Sequence, residues 1–185
     1  APYMGGEAET LAFPFLRRIG PIALVGLNSA VETPPFVAAG RLGGNQIEVA
    51  RNLLERLSDE GTIRVVLIHH PPLPPMAAAK RGLADAGHLQ HMLQRSGAEL
   101  VLYGHNHKPA VDWLRTASGP LALVCGASAS AARVYKHDPL AQYNLFTFFK
   151  SGDRLRVRHA VRGIESSEGD VVQISESILV PPQSD

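Results

Sequence analysis

Two imidazoles two residues apart occur in "YGHNHKP" at positions 103 to 109, where His105 and His107 flank Asn106 behind an apolar run. A second apolar run, in "VVLIHHPPLPP" at 65 to 75, also stops at histidine, here His69 and His70. Neutral imidazole is the commonest metal ligand. The carbonyls and amides of the surrounding loop set which ring nitrogen is free to bind. Alternate residues of an extended segment point the same way, so the spacing predicts that His105 and His107 converge on one centre or straddle two adjacent ones. Gly104 is expected to let the backbone turn sharply as it leaves the strand. Pro71 and Pro72 are expected to keep the chain after His70 extended and stiff. A lone histidine at a strand end is most simply a hydrogen-bonded polar residue. Two clusters at two equivalent strand ends favour a site.

The elements that must position these residues follow from pattern. "FPFLRRIG" and "PIALVGLNS" read as two strands joined by a turn at Gly20-Pro21. The second is apolar on both faces, which predicts a central strand. Residues 29 to 43 read as loop. "NQIEVARNLLERLSDEG" predicts a helix with Ile47, Ala50, Leu53, Leu54 and Leu57 on one face, Asn45 as its cap and Gly61 as its stop. "TIRVVLI" is a buried strand ending at His69, "GHLQHMLQRSG" a shorter helix with Leu89, Met92 and Leu93 inward, and "AELVLYG" a buried strand ending at His105. This alternation predicts an α/β layer, and in open α/β sheets ligands bind beyond the carboxyl ends of the strands. "AVDWLRT", "PLALVCG", "YNLFTFF" and "RLRVRHAV" then read as consecutive strands, the last two joined by "KSGD". We divide the chain into a domain at 1–163 and an acidic, poorly packed tail at 164–185 with a short strand at "SILV".

Bulk properties narrow the function classes. The chain has 185 residues, enough for one domain with a core. Its net charge of +1 gives no bulk attraction to a nucleic-acid polymer or a membrane surface. No apolar run approaches the length of a membrane span, and "APYMGGEAET" lacks the pattern of a signal peptide. Cys125 is the single cysteine, so no internal disulfide forms and a cytoplasmic location is expected.

"VVLIHHPPLP" followed about thirty residues later by "LVLYGHNH" resembles the C-terminal half of the calcineurin-like metallophosphoesterases. The nearest likeness is to the class III cyclic-nucleotide phosphodiesterase and glycerophosphodiesterase branch. It runs over roughly residues 15 to 160, judged by the order of elements. The resemblance implies a two-sheet α/β/β/α sandwich, present here as its C-terminal portion. It implies two divalent ions, manganese, iron or zinc, bridging a hydroxide that attacks phosphorus in line. Two metals are needed because the attacking oxygen must lose its proton at neutral pH while phosphoryl charge is neutralised. By the same resemblance His69 and His105 would bind one metal and His107 the other. His70 would be the catalytic residue near the substrate or just outside the metals. The substrate would be a small phosphodiester or phosphomonoester.

The sequence also departs from that family. D-x-H, G-D-x-x-D and G-N-H-D/E are all missing. "GGNQ" opens a helix instead, "GD" falls in the "KSGD" turn and the tail, and "HD" at 137 to 138 reads as loop. At ~30 residues per βαβ unit, roughly 80 to 100 upstream residues would carry these motifs. We therefore expect the chain alone to bind two metals poorly and to turn over slowly. An unpaired sheet edge would favour homo-oligomers. The alternative is a non-catalytic module on the same scaffold that binds one metal, a phosphate ligand or a partner.

Other features read more plainly. "PPLPP" is explained by its place after a strand, and three consecutive letters "HNH" are no nuclease motif. Arg154, Arg156 and Arg158 fall on one strand face as a charged edge or a phosphate stripe. "CGASAS" lacks the last glycine of a nucleophile elbow, so Ser128 reads as a turn residue and Cys125 as core. Trp113, Tyr135 and Tyr143 have ordinary packing roles, and His88, His91, His137 and His159 look surface or structural.

Overall fold

Four apolar runs pair in parallel at the centre of the protein. The computed structural model describes residues 12–78, 80–134 and 138–182. In it these runs are β2 (Ile22–Gly26), β3 (Ile63–Leu67), β4 (Leu100–Tyr103) and β6 (Gly119–Cys125). The edge strands β1 (Phe15–Ile19) and β5 (Ala110–Thr116) are antiparallel to their neighbours, giving the order β1-β2-β3-β4-β6-β5. Parallel pairing requires crossovers. The helices α1 (Gly44–Asp59) and α2 (Ala86–Ser96) supply them, between β2 and β3 and between β3 and β4. A second sheet holds β7 (Gln142–Ser151), β8 (Arg154–Ile164) and β9 (Val171–Ile178), all antiparallel.

Alternation along the strands sorts the core into two layers. Ala23, Val25, Val66 and Val101 pack with Leu54 and Leu57 of α1 and Leu89 and Leu93 of α2. Val65, Leu100, Ala122 and Val124 face the other way, onto Phe146 and Phe148 of β7. The α/β class read from the sequence holds, with helices, six-stranded sheet and three-stranded sheet as three layers. Among the described residues no helix forms the fourth expected layer.

Local details differ from the sequence reading. Asn45 lies inside α1, whose cap is Gly43. No side chain caps the helix; the Asp85 carboxylate, just before α2, instead holds the chain entering it, accepting from Leu42 N at 3.1 Å and from Gly43 N at 2.7 Å. A carboxylate there complements the positive end of the helix dipole. The tail strand begins earlier than expected and pairs with β8 along its length except at Ile174, where the register shifts, although all eight β9 residues are exposed. Tyr135, His137 and the end of "PPQSD" lie outside the described residues.

The opposite rim of the six-stranded sheet carries a buried ion pair. Arg64, 3% exposed, opens β3 and meets Glu99 just before β4. Its guanidinium donates to both Glu99 oxygens, at 2.8 and 3.1 Å, and to the carbonyls of Ser96 at 2.9 Å and Leu54 at 3.3 Å. One side chain thus ties α1 and the end of α2 to two central strands.

Candidate active site: a histidine cluster at the carboxyl rim

The β3–β4 ladder continues past both strands and sets the site. Ile68 N donates to Leu102 O at 3.0 Å, and Gly104 N donates to His69 O at 3.1 Å. That register carries His69 and His105 to adjacent points on one rim. His69 Nε2 lies 3.1 Å from His105 Nδ1. The His70 ring centre is 4.6 Å from that of His105 and 5.0 Å from that of His69. Three of the four histidines named from the sequence are therefore in mutual contact.

His70 is the fixed member, 5% exposed. Its Nε2 faces Ala38 O at 3.2 Å and its Nδ1 faces Ser29 Oγ at 2.8 Å. A carbonyl only accepts, so Nε2 carries the proton and the Ser29 hydroxyl donates to Nδ1. Both ring nitrogens are engaged, and the imidazole braces the loop between β2 and α1. That loop is also held by Arg41 N to Ser29 O at 3.0 Å and Gly40 N to Gly82 O at 3.0 Å. A Cβ on Gly40 would lie 2.3 Å from His70 Nδ1, so a side chain there would displace the ring. Burial above all lowers the His70 pKa. The Ala38 bond opposes this and the charge on His69 adds to it.

His105 is the poised member. Its pKa is held down to about 4, first by burial and then by the charges of His70, His69, Arg81 and His107. The ring is therefore neutral at pH 7. Its Nε2 is buried and meets no hydrogen-bond partner among the described residues. When Nδ1–H donates to His69, that Nε2 is a bare, buried lone pair.

The loop that carries His105 is not extended, which removes the basis for bringing His107 alongside it by alternation. His105 has φ 68° and His107 φ 55°, both in the left-handed region. Asn106 N closes a tight turn onto Gly104 O at 2.8 Å, and Asn106 Nδ2 donates to Met76 O at 3.1 Å. His107 is left exposed beyond the turn. Gly104, expected to be the sharp turning point, has an ordinary φ and room for a side chain; a Cβ there would meet nothing closer than 3.8 Å. Backbone strain of roughly 1–3 kcal/mol per residue is thus carried by the histidines.

The supporting residues were not read from the sequence. Ser29, Ala38 and Gly40 sit in a stretch legible only as loop. Tyr103 donates to Asp112 Oδ2 at 3.2 Å, bracing β4 against β5 below the turn. Burial, followed by Cys125 and Asp112, holds the Tyr103 phenol above its ordinary range. Cys125 is buried in the core, as expected. His159 is also structural, stacked on Phe146 at 4.9 Å and bonded to Asn144 at 2.8 Å. Ser128 lies in the turn region before β7, bonded to Ser130.

Whether the cluster fits two metals is decided by its donors. The orphaned His105 Nε2 is a competent nitrogen ligand, but among the described residues no carboxylate joins the histidines to bridge two cations. Among the described residues no group of three or more His, Cys, Asp or Glu could hold a metal ion. These residues do not complete a dinuclear centre. The sequence matches no protein-family model, and no curated protein matches it at the level that marks a relative. Among the described residues no helix is long and apolar enough to cross a membrane.

Proposed function

We propose that this chain supplies the histidine side of a metal-dependent phosphoesterase centre acting on phosphodiesters. The observation that carries this reading is the convergence of His69, His70 and His105 on one rim, with His105 Nε2 buried, neutral and unpartnered. An unsatisfied buried polar atom costs about 1–3 kcal/mol, so its persistence supports a role for a ligand. The resemblance of "LIHHPP" and "YGHNH" to metallophosphoesterase motifs gives the ligand's class, a divalent cation. Carboxylates would have to join from outside this cluster. A non-catalytic module on the same scaffold is the second reading, favoured by the direct His69–His105 bond, which engages one ring nitrogen of each histidine.

Manganese loading, desalting and elemental analysis, followed by an assay with bis(4-nitrophenyl) phosphate, tests the proposal. Well under two manganese ions per chain are expected, with slow hydrolysis that His69→Ala and His105→Ala abolish. No metal retention beyond that of the double variant sinks the phosphoesterase reading and leaves the module. Two tightly held ions with fast turnover would overturn the view that the histidines are only one side of the centre.

A further inference from the structure

The arginines of β8 are not edge protection. β8 is the central strand of the three-stranded sheet, paired with β7 on one side and β9 on the other. Phe146 pairs with His159 and Phe148 with Val157, and both phenylalanines pack toward the six-stranded sheet. Side chains alternate along a strand. Arg154, Arg156, Arg158 and Arg162 therefore share the opposite, outer face, with Tyr143 and Thr147 of β7 beside them. Among the described residues no helix or strand covers this face, and Tyr143 is 41% exposed.

The charge on this face is largely uncommitted. Arg158 pairs with Glu176 at 3.5 Å and lies over the Phe149 ring at 5.7 Å. Among the described residues Arg154, Arg156 and Arg162 make no ion pair, and Arg162 Nε is buried without an acceptor. The register places one carboxylate here, Glu176 opposite Ala160, against four arginines. The chain's net charge of +1 thus conceals a strongly basic surface. Tyr143 sits directly across from Arg162. Guanidinium forks match phosphate oxygens, and an open aromatic ring stacks on a base. Stacking requires a base that is splayed out rather than held in a duplex. Carboxylates alone would leave the ring unused.

We infer that the outer face of the three-stranded sheet binds single-stranded nucleic acid. Phosphates would face Arg154, Arg156 and Arg162, and a base would stack on Tyr143. The inference stands on its own residues and does not depend on the chemistry proposed for the histidine rim.

The probe is a fluorescein-labelled thymidylate strand of about 15 nucleotides, within the span such surfaces occupy. Its anisotropy is followed in chelator, so that no metal takes part. Saturable binding is expected. Three phosphate contacts predict a slope of about −2 for log affinity against log salt. Arg154→Gln/Arg156→Gln/Arg162→Gln should flatten that slope to near zero. Tyr143→Ala should weaken binding by about ten-fold, the scale of one lost stacking contact. Thr147→Glu adds a carboxylate to the same exposed face and keeps every arginine, so it should weaken binding several-fold even where the triple variant folds poorly. Circular dichroism checks the fold of each variant. Absence of saturable binding, or unchanged affinity in Tyr143→Ala or Thr147→Glu, overturns the proposal. So does equal competition by poly-L-glutamate or by the same strand annealed to its adenylate complement, which would show a surface for any polyanion. With metal withheld throughout, failure here leaves the reading of the histidine rim untouched.

Discussion

The two rims of the six-stranded sheet hold their buried ionisable groups in opposite ways, although each also has an orphaned atom, Ser96 Oγ at the amino rim and His105 Nε2 at the carboxyl rim. At the amino rim Arg64 is enclosed and its guanidinium makes four hydrogen bonds, to Glu99, Ser96 and Leu54. At the carboxyl rim His105 carries an orphaned nitrogen and a left-handed backbone, and His107 repeats the left-handed backbone. The same ladder of strands connects the two, so neither rim lacks a frame on which to satisfy its groups. Full satisfaction is what a buried charge needs to persist. Strain and an open lone pair persist only where surrounding structure over-determines them, and such features cluster at functional sites. The amino rim is therefore read as the clamp of the fold, and the carboxyl rim as the place where stability is given up.

The largest effect that would break this contrast is at Arg64. Replacing it with alanine removes the guanidinium from Glu99, which keeps only the backbone N–H of residue 64, and frees the carbonyl of Ser96 at the end of α2. A loss of about 3–5 kcal/mol in unfolding free energy is expected, as for removal of one partner of a buried pair. Urea denaturation of parent and Arg64→Ala would show it as a fall in midpoint at constant slope. A loss below about 1 kcal/mol would mean that the amino rim is no clamp, and the contrast would collapse.

A second, intermediate effect lies in the acid limb of stability. His105 has a folded pKa near 4 against about 6.5 for the free side chain. A depressed folded pKa means that the unfolded state binds more protons between those values, so stability rises with pH across that window. Metal-free protein is expected to lose stability as pH falls from about 6.5 to about 4. The lowered pKa of His70 and His159 pushes the same way, both mainly through burial. His105→Asn should flatten part of that slope, measured as melting midpoint against pH. An unchanged slope in the variant would show that His105 is not the group whose protonation is resisted.

What could be read from the sequence divides along the same line. The strands ending at His69 and His105 were legible because each is a short apolar run with an abrupt polar stop. Ile47, Ala50, Leu54 and Leu57 were legible as a helix face because their spacing is local information, and all four are buried. The cap of α1 was not legible. It is Gly43, whose N–H is held by Asp85 over forty positions away, and Asn45 only looked suitable by adjacency. Ser29 likewise pairs with His70 across 41 positions, and no local pattern marks it. The turn at 104 to 107 misled for a different reason. Glycine permits unusual backbone but does not require it, and here the unusual φ values fall on the histidines beside it. Polar satisfaction and strain are properties of tertiary contact, so a single sequence locates the site residues without their state.

The smallest effect sharpens the contrast most, because its sign runs against habit. In ordinary helix or strand positions glycine is less stable than alanine by roughly 0.5–1 kcal/mol, from the entropy of the unfolded chain. At position 105 the backbone has φ 68°, where a Cβ is crowded and glycine is at ease. His105→Gly and His105→Ala remove the same imidazole and the same contacts to His69 and His70, so their difference isolates the backbone term. The glycine variant is expected to be more stable than the alanine variant by about 1 kcal/mol. The same pair at Glu48, an exposed position inside α1, should give the usual opposite order. Thermal melts of the four variants decide it. Alanine equal to or better than glycine at 105 would mean that the left-handed turn relaxes without cost. The carboxyl rim would then hold no strain for a bound ligand to exploit.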